Sequence, residues 1–370
     1  MINSKDISVI VQGAINKEET PKCLQSIRKY LPEAEVILST WEGSDVSNLD
    51  YDILVENKDP GTVLIDSYKS KKIYNNLNRQ LLSTQNGLAK ATKKYALKLR
   101  SDLILTTDKF LKYFDEYQSR SNEYLLFERK VLIPALFTRH KLKLCGSHKR
   151  YEMPFHISDW WLFGLKTDLE KYFKETSLVE EPYFTKYFEQ EEHKHKDNPY
   201  LKAKHKFAPE QYFALSAFSR RFKDIKMADA SDTSFELMQK FKKCLVNNFI
   251  VLEFKQSGIY LNKYSFSKFE KFTGDQYIDL YNAYKYQEDY KEFCDNDFII
   301  TEKKIEPSEL NYAKIRIYKH YYKLIDNNTK FPKKLEEFLW GIPLTVLNYL
   351  FTAFLNIKNT KILKKFHLFN

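Results

Sequence analysis

The run KYALKLRSD at 94–102 constrains this chain more than any other. Successive side chains of an extended chain point to opposite faces, so Lys98, Arg100 and Asp102 share one face while Leu97 and Leu99 occupy the other. Three charges in a row on a central strand are expensive to bury, each unpaired ion costing several kcal/mol. Such a row is kept either by mutual pairing or by a bound anion and metal. The fold must bury the leucines while giving the charges a partner.

The preceding residues predict how that strand is housed. Ile7–Val11 is an apolar, β-rich run ending in Gln12-Gly13, and a helix is expected from Pro21 to Tyr30 with Thr20 as N-cap. EVILS at 35–39 and YDILV at 51–55 read as short buried strands around the turn-rich Glu42-Gly43-Ser44-Asp45. Asn75–Thr92 has helical spacing, with Leu77, Leu81, Leu82, Leu88 and Ala91 on one stripe, leading into a strand expected over Tyr95–Leu105. Short strands alternating with helices predict a parallel or mixed sheet covered on both faces, a Rossmann-like nucleotide-binding half.

Further strands are expected around Tyr124–Phe127 and Trp160–Gly164. A basic, His-containing stretch from Glu189 to Lys206 reads as a loop, and Pro209 marks a helix start. After about residue 265 the pattern shifts to Tyr-, Lys- and Glu-rich helices, so the domains are expected to be 1–265 and a helical extension, 266–370. Within the latter, Leu335–Ile357 is long enough to span a bilayer. Glu336, Glu337, Gly341, Pro343 and Asn348 interrupt it, which favours an interfacial helix pair over 333–366 flanked by lysines, or else a packing helix.

Composition narrows the partners. With 60 Lys and Arg against 49 Asp and Glu, the net charge of +11 suits an anionic partner: a nucleotide diphosphate, a lipid surface or an acidic glycan. Arg-Gly repeats, zinc-finger spacing and dense basic helices are missing, so no nucleic acid partner is expected. Cys23, Cys145, Cys244 and Cys294 are far apart and read as core residues in a reducing compartment. His193, His195 and His205 lie in a Lys-rich segment with irregular spacing and do not predict zinc. The N-terminus moves straight into a strand without signal-peptide character, so a cytoplasmic protein is expected, peripheral on the inner membrane face.

Candidate site residues follow from this frame. Gln12 and Gly13 lie at the carboxyl end of the first strand, where open α/β sheets bind ligands. Arg79, accompanied by Asn76, Gln80 and Ser83, is a candidate for a diphosphate or base, or a solvated helix face. Lys98, Arg100 and Asp102 form the charged row. Asp102 could hold Mn2+ or Mg2+ bridging a diphosphate. Two carboxylates could take the proton of an acceptor hydroxyl, as a transferase that inverts its sugar would require. Asp159 sits in HISDWW beside aromatic surface, and Glu210 follows Pro209 in a helix's first turn, where the dipole favours ionisation.

The segments ISVIVQG at the start, ILSTWEGS at 37–44, NRQLLSTQNGL at 78–88, KYALKLRSD at 94–102, SDWWLFG at 158–164 and PEQY at 209–212 recur in an order that resembles the WavE family of lipopolysaccharide and capsule synthesis proteins, across about residues 5–265. The resemblance implies a GT-A-like glycosyltransferase moving a sugar from a nucleotide-sugar donor to a glycan or lipid-linked acceptor. Where that family type carries Asp-x-Asp, this chain has Arg100 at the first acidic position, a residue that could neutralise phosphate directly. Donor, acceptor, linkage and oligomeric state stay open. A nucleotidyl- or polyol-phosphate transferase and a non-catalytic membrane scaffold of a glycan assembly complex are the competing readings.

Overall fold

The structure is a computed structural model that describes residues 2–68, 71–144, 150–180, 183–194, 196–199, 204–261, 272–273 and 276–303. In chain order the strands are β1 (Ile7–Gln12), β2 (Glu35–Trp41), β3 (Ile53–Asn57), β4 (Val63–Tyr68), β5 (Lys71–Asn75), β6 (Tyr95–Arg100), β7 (Ile104–Leu105), β8 (Val131–Pro134), β9 (Arg139–Leu144), β10 (Arg150–Glu152), β11 (Trp161–Leu165), β12 (Phe249–Leu252), β13 (Ile259–Tyr260), β14 (Phe272–Thr273) and β15 (Gln276–Leu280). The α-helices are α1 (Glu19–Tyr30), α2 (Leu77–Lys90), α3 (Lys166–Phe173), α4 (Pro209–Arg221), α5 (Phe235–Asn248), α6 (Phe254–Ser257) and α7 (Ala283–Phe293).

Seven strands form the central sheet in the order β12-β8-β11-β6-β1-β2-β3. All neighbours are parallel except β11, which runs antiparallel to both β6 and β8. This is the expected mixed α/β sheet flanked by helices, and β1, β6 and β11 are almost wholly buried, as strands covered on both faces must be. The chain turns from β1 outward through β2 and β3, then returns to place β6 on β1's other side. The order therefore reverses between β1 and β6, and the carboxyl ends at such a reversal are where open α/β sheets bind ligands.

Helix α2 lies tight against this reversal. A Cβ at Gly87 would come 2.5 Å from Ile10 Cγ2 and 3.2 Å from Ser39 Cβ, so only glycine lets the helix approach β1 and β2 this closely. At the end of β1, Gly13 adopts φ +121°, and a Cβ there would meet Ser101 Oγ at 3.2 Å.

Several local expectations are corrected. Helix α1 starts at Glu19, two residues earlier than the Pro21 start, because the Asn16 side chain accepts from the Glu18 and Glu19 amides; Thr20 instead receives Asn16 N–H at 2.9 Å. The strand expected over Tyr95–Leu105 is two, with Ser101 and Asp102 in the turn between them. No strand forms at Tyr124–Phe127. Asn248 Oδ1 accepts from Leu126 and Phe127 N–H and its amide donates to Tyr124 O, so a side chain takes the bonds a strand neighbour would have made. The strand lies just beyond, at β8.

Contacts define one compact unit over Met1–Lys304 and a second over Ile305–Asn370. The first reaches past the expected 265/266 boundary because β15 pairs with β9 and α7 packs on α5 and β12. Residues 276–280 are thus strand where only helices were expected. The described part of the stretch 189–206 contains no helix or strand beyond a 3-10 turn ending at Glu189. The interfacial segment 333–366, Cys145 and His195 lie outside the described residues. Cys23 and Cys244 are buried, as core residues should be, and Cys294 is partly so.

Candidate active site

The charged row is real, but its three members have different fates. Lys98, in mid β6, is fully buried, and its ammonium donates to the backbone carbonyl of Asp159. Burial pushes the Lys98 pKa down to about 8, with Asp159 opposing the shift. Arg100 ends the strand and binds Asp102 through both carboxylate oxygens, Nε to Oδ1 at 3.0 Å and Nη2 to Oδ2 at 2.7 Å. Its guanidinium also lies 4.2 Å from the Trp160 ring, which stacks on Phe137 at 4.3 Å.

Asp159 reaches this point because β11 is antiparallel. Trp161 pairs with Leu99 and Leu162 with Lys98, so the residues before β11 emerge where β6 ends. Gln80 Nε2 on α2 donates to Asp159 Oδ2 at 2.6 Å, and Ser83 Oγ, one turn on, donates to the buried Gln12 Oε1 at 2.9 Å. Gln80 and Ser83 are thus the inward face of α2.

Arg79 points the other way. It binds both oxygens of Asp59, with Nε to Oδ1 at 2.7 Å, and lies 6.0 Å from the Trp41 ring. Of its two readings, a committed surface pair describes it better than a free phosphate ligand.

Glu210, in the first turn of α4, is brought in by its neighbour. The buried Gln211 accepts from Ala208 N–H and donates to Pro154 O at 3.0 Å, tying the helix start to the segment leading to Asp159. Asp159 and Glu210 are 2% and 9% exposed. Burial first, then the Asp159 charge, lifts the Glu210 pKa to about 7, and burial raises Asp159 as well. The fully buried Tyr172 hydroxyl, without a hydrogen-bond partner, is pushed well above its ordinary range by burial and by these two carboxyls.

A histidine fixes where one proton sits. His156 Nδ1 lies 3.0 Å from Phe137 O, a group that only accepts, so Nδ1 carries the ring proton. Burial keeps the imidazole neutral. Its Nε2 therefore presents a lone pair 3.8 Å from Glu210 Oε2. That arrangement is favourable when Glu210 is protonated, in agreement with its raised pKa.

The residues around Asp102 do not fit a divalent cation. The one carboxylate spends both oxygens on Arg100, and no group of three His, Cys, Asp or Glu suited to a metal occurs among the described residues. His193 stacks on Tyr187 at 3.9 Å, and His205 is buried close enough to Arg139 and His156 to interact with both electrostatically. Sequence reasoning missed Tyr172, Gln211 and Arg139, which belong to apolar, helical or strand patterns with nothing local to single them out. Gln80 was in view only as a companion of Arg79.

Together these features define an α/β protein whose polar site lies at the carboxyl ends of β1 and β6. The chain belongs to the WavE lipopolysaccharide synthesis family, which matches residues 7–321. Among solved structures it is similar to TarS of S. aureus (16% identity, covering 58% of this chain and 33% of that one, TM-score 0.28). It is also similar to TarS 1-349 in complex with UDP (15%, 66% and 66%, 0.30) and to the glycosyltransferase GlyE of Streptococcus pneumoniae TIGR4 (12%, 68% and 45%, 0.27). The chain spans a third of the full TarS chain and about two thirds or less of the others. No curated protein matches it.

Proposed function

We propose that this protein is a GT-A-like glycosyltransferase that moves a sugar from a nucleotide-sugar donor to a lipopolysaccharide or capsular polysaccharide acceptor. The observation that carries the reading is the buried Asp159–Glu210 pair set against Lys98 and Arg100 at the sheet's switch point. The nucleotide occupies the crevice beside Gln12 and Gly13, and Arg100 faces the diphosphate, with Lys98 behind it. Glu210 takes the proton of the acceptor hydroxyl, the oxygen attacks the anomeric carbon, and the bond to the diphosphate breaks with its electron pair leaving on the nucleotide. Asp159, its charge held by Gln80, keeps the proton affinity of Glu210 near neutrality, where a general base works best.

A thermal-shift screen of the full chain with UDP, GDP, CDP, dTDP and CMP tests this reading. A ligand of the native state stabilises it with the logarithm of its saturation. One nucleotide should raise Tm, and Arg100→Ala should abolish the shift; a folded protein blind to all five would refute the donor site.

An enzyme acting on lipid-linked glycan would work at a membrane surface, and the lysines flanking the apolar run 335–357 support peripheral attachment. No helix among the described residues is long and apolar enough to cross a membrane. Co-sedimentation with phosphatidylglycerol vesicles at low salt, lost with neutral phosphatidylcholine vesicles, is the expected result. Partitioning to neither would remove the membrane from the proposal, and equal partitioning to both would remove the lysines' part in it.

A further inference from the structure

Arg139 is a second arginine at this site, and among the described residues no carboxylate forms an ion pair with it. It opens β9, its N–H donating to His156 O at 3.0 Å, and its guanidinium carbon lies 5.6 Å from the Phe137 ring. Since Phe137 stacks on Trp160 and Trp160 on Arg100, two cations are separated by two stacked rings. The cations differ in one respect. Arg100 is held by Asp102 through two bonds, whereas the buried Nε of Arg139 has no hydrogen-bond partner and no Asp or Glu forms an ion pair with it among the described residues.

A guanidinium is a fork of five donors matched to carboxylate and phosphate oxygens. A buried donor left unsatisfied is destabilising, and a bound oxyanion would give it a partner. The surroundings are prepared for an anion. The Arg139 charge helps to hold His156 and His205 neutral, and Glu210, which also feels that charge, has Oε2 turned to His156.

We propose that Arg139 binds an oxyanion on the acceptor, so that the glycan being extended is acidic, carrying a carboxylate or phosphate ester on the sugar that enters the site. This rests on the transferase reading, with Glu210 as base. The acceptor is favoured over the donor by placement. The donor crevice is built from the ends of β1 and β6, while Arg139 comes from the separate four-stranded sheet β10-β9-β15-β14 and reaches the base across the Phe137–Trp160 stack. A base must touch the acceptor, so the cation beside it, on the side away from the diphosphate, meets acceptor groups.

The test is arginine modification of the unaltered full chain by phenylglyoxal, with each site mapped by peptide mass spectrometry. Galacturonate and galactose 6-phosphate are the acidic probes, galactose is the neutral one, and UDP and GDP report on the donor. The acidic sugars should slow modification of Arg139 at least threefold while galactose does not, and a nucleotide should protect Arg100 alone. Protection of Arg139 by nucleotide as strong as by acidic sugar, or by nothing, overturns the proposal. The Arg100 result reports separately on the transferase reading. In Arg139→Gln, with folding checked by circular dichroism, galacturonate affinity should fall at least tenfold, and Arg139→Lys should recover part of it; an unchanged affinity would also count against the assignment.

Discussion

At the scale of single residues, the proposed chemistry depends on the protonation of Glu210. Asp159 and Glu210 titrate as a pair, and Glu210 is the member pushed up to about 7. If it is the base, Glu210→Gln should lower kcat by about 10²–10⁴-fold, the usual contribution of a positioned base. The wild-type rate should rise with pH through an apparent pKa near 7, and that limb should vanish in the variant. A rate profile indifferent to the substitution would assign the base elsewhere. Lys98, Arg100 and Asp102 were legible in the sequence as charges on a core strand, and Asp159 and Glu210 as carboxylates beside an aromatic run and at a helix start. Arg79 looked equally promising, but its partner Asp59 is 20 positions earlier and reads as loop, so nothing local revealed the pairing. Arg139 stayed hidden for a related reason: its importance comes from a ring stack whose two members are 23 positions apart.

Among the elements, aliphatic strands and apolar stripes gave themselves away by periodicity, and β1, β2, β6, β11, α2 and α4 fall where patterning put them. Boundaries set by side-chain capping did not. The Asn248 amide holds Tyr124–Phe127 as a loop across more than 120 positions, information that no window of sequence contains. Packing of α2 is the element-level feature most open to test. Gly87→Ala places a methyl 2.5 Å from Ile10 Cγ2, so overpacking should destabilise the protein by about 1–3 kcal/mol. Urea denaturation measures this directly, and nucleotide affinity should weaken too, because α2 carries Gln80 and Ser83 to the site. A neutral or stabilising Gly87→Ala would mean that the helix has room to shift.

For the whole molecule, the buried carboxyl pair makes stability depend on pH in a direction opposite to most acidic groups. Glu210 binds its proton in the folded chain up to pH about 7 and loses it at about 4.5 when unfolded. Between these values the native state holds the extra proton, so this residue's contribution falls as pH rises, by on the order of 3 kcal/mol across the window. Glu210→Gln should remove that slope. Chemical denaturation at pH 4.5, 5.5 and 7 should show the variant gaining on the wild type as pH rises; parallel curves would place the proton elsewhere.

The antiparallel course of β11 also bears on how the protein is made. Gln12, Gln80, Arg100, Asp159 and Glu210 are contributed by five stretches of chain that the ribosome releases in turn, and β11 can seat itself on β6 only from the far side of a long excursion. A nascent chain that has emerged through residue 105 contains Gln12, Gln80 and Arg100 but neither Asp159 nor Glu210. On the proposed mechanism, the residues assigned to the donor are therefore synthesised before the carboxylate assigned as base, which arrives last, on α4.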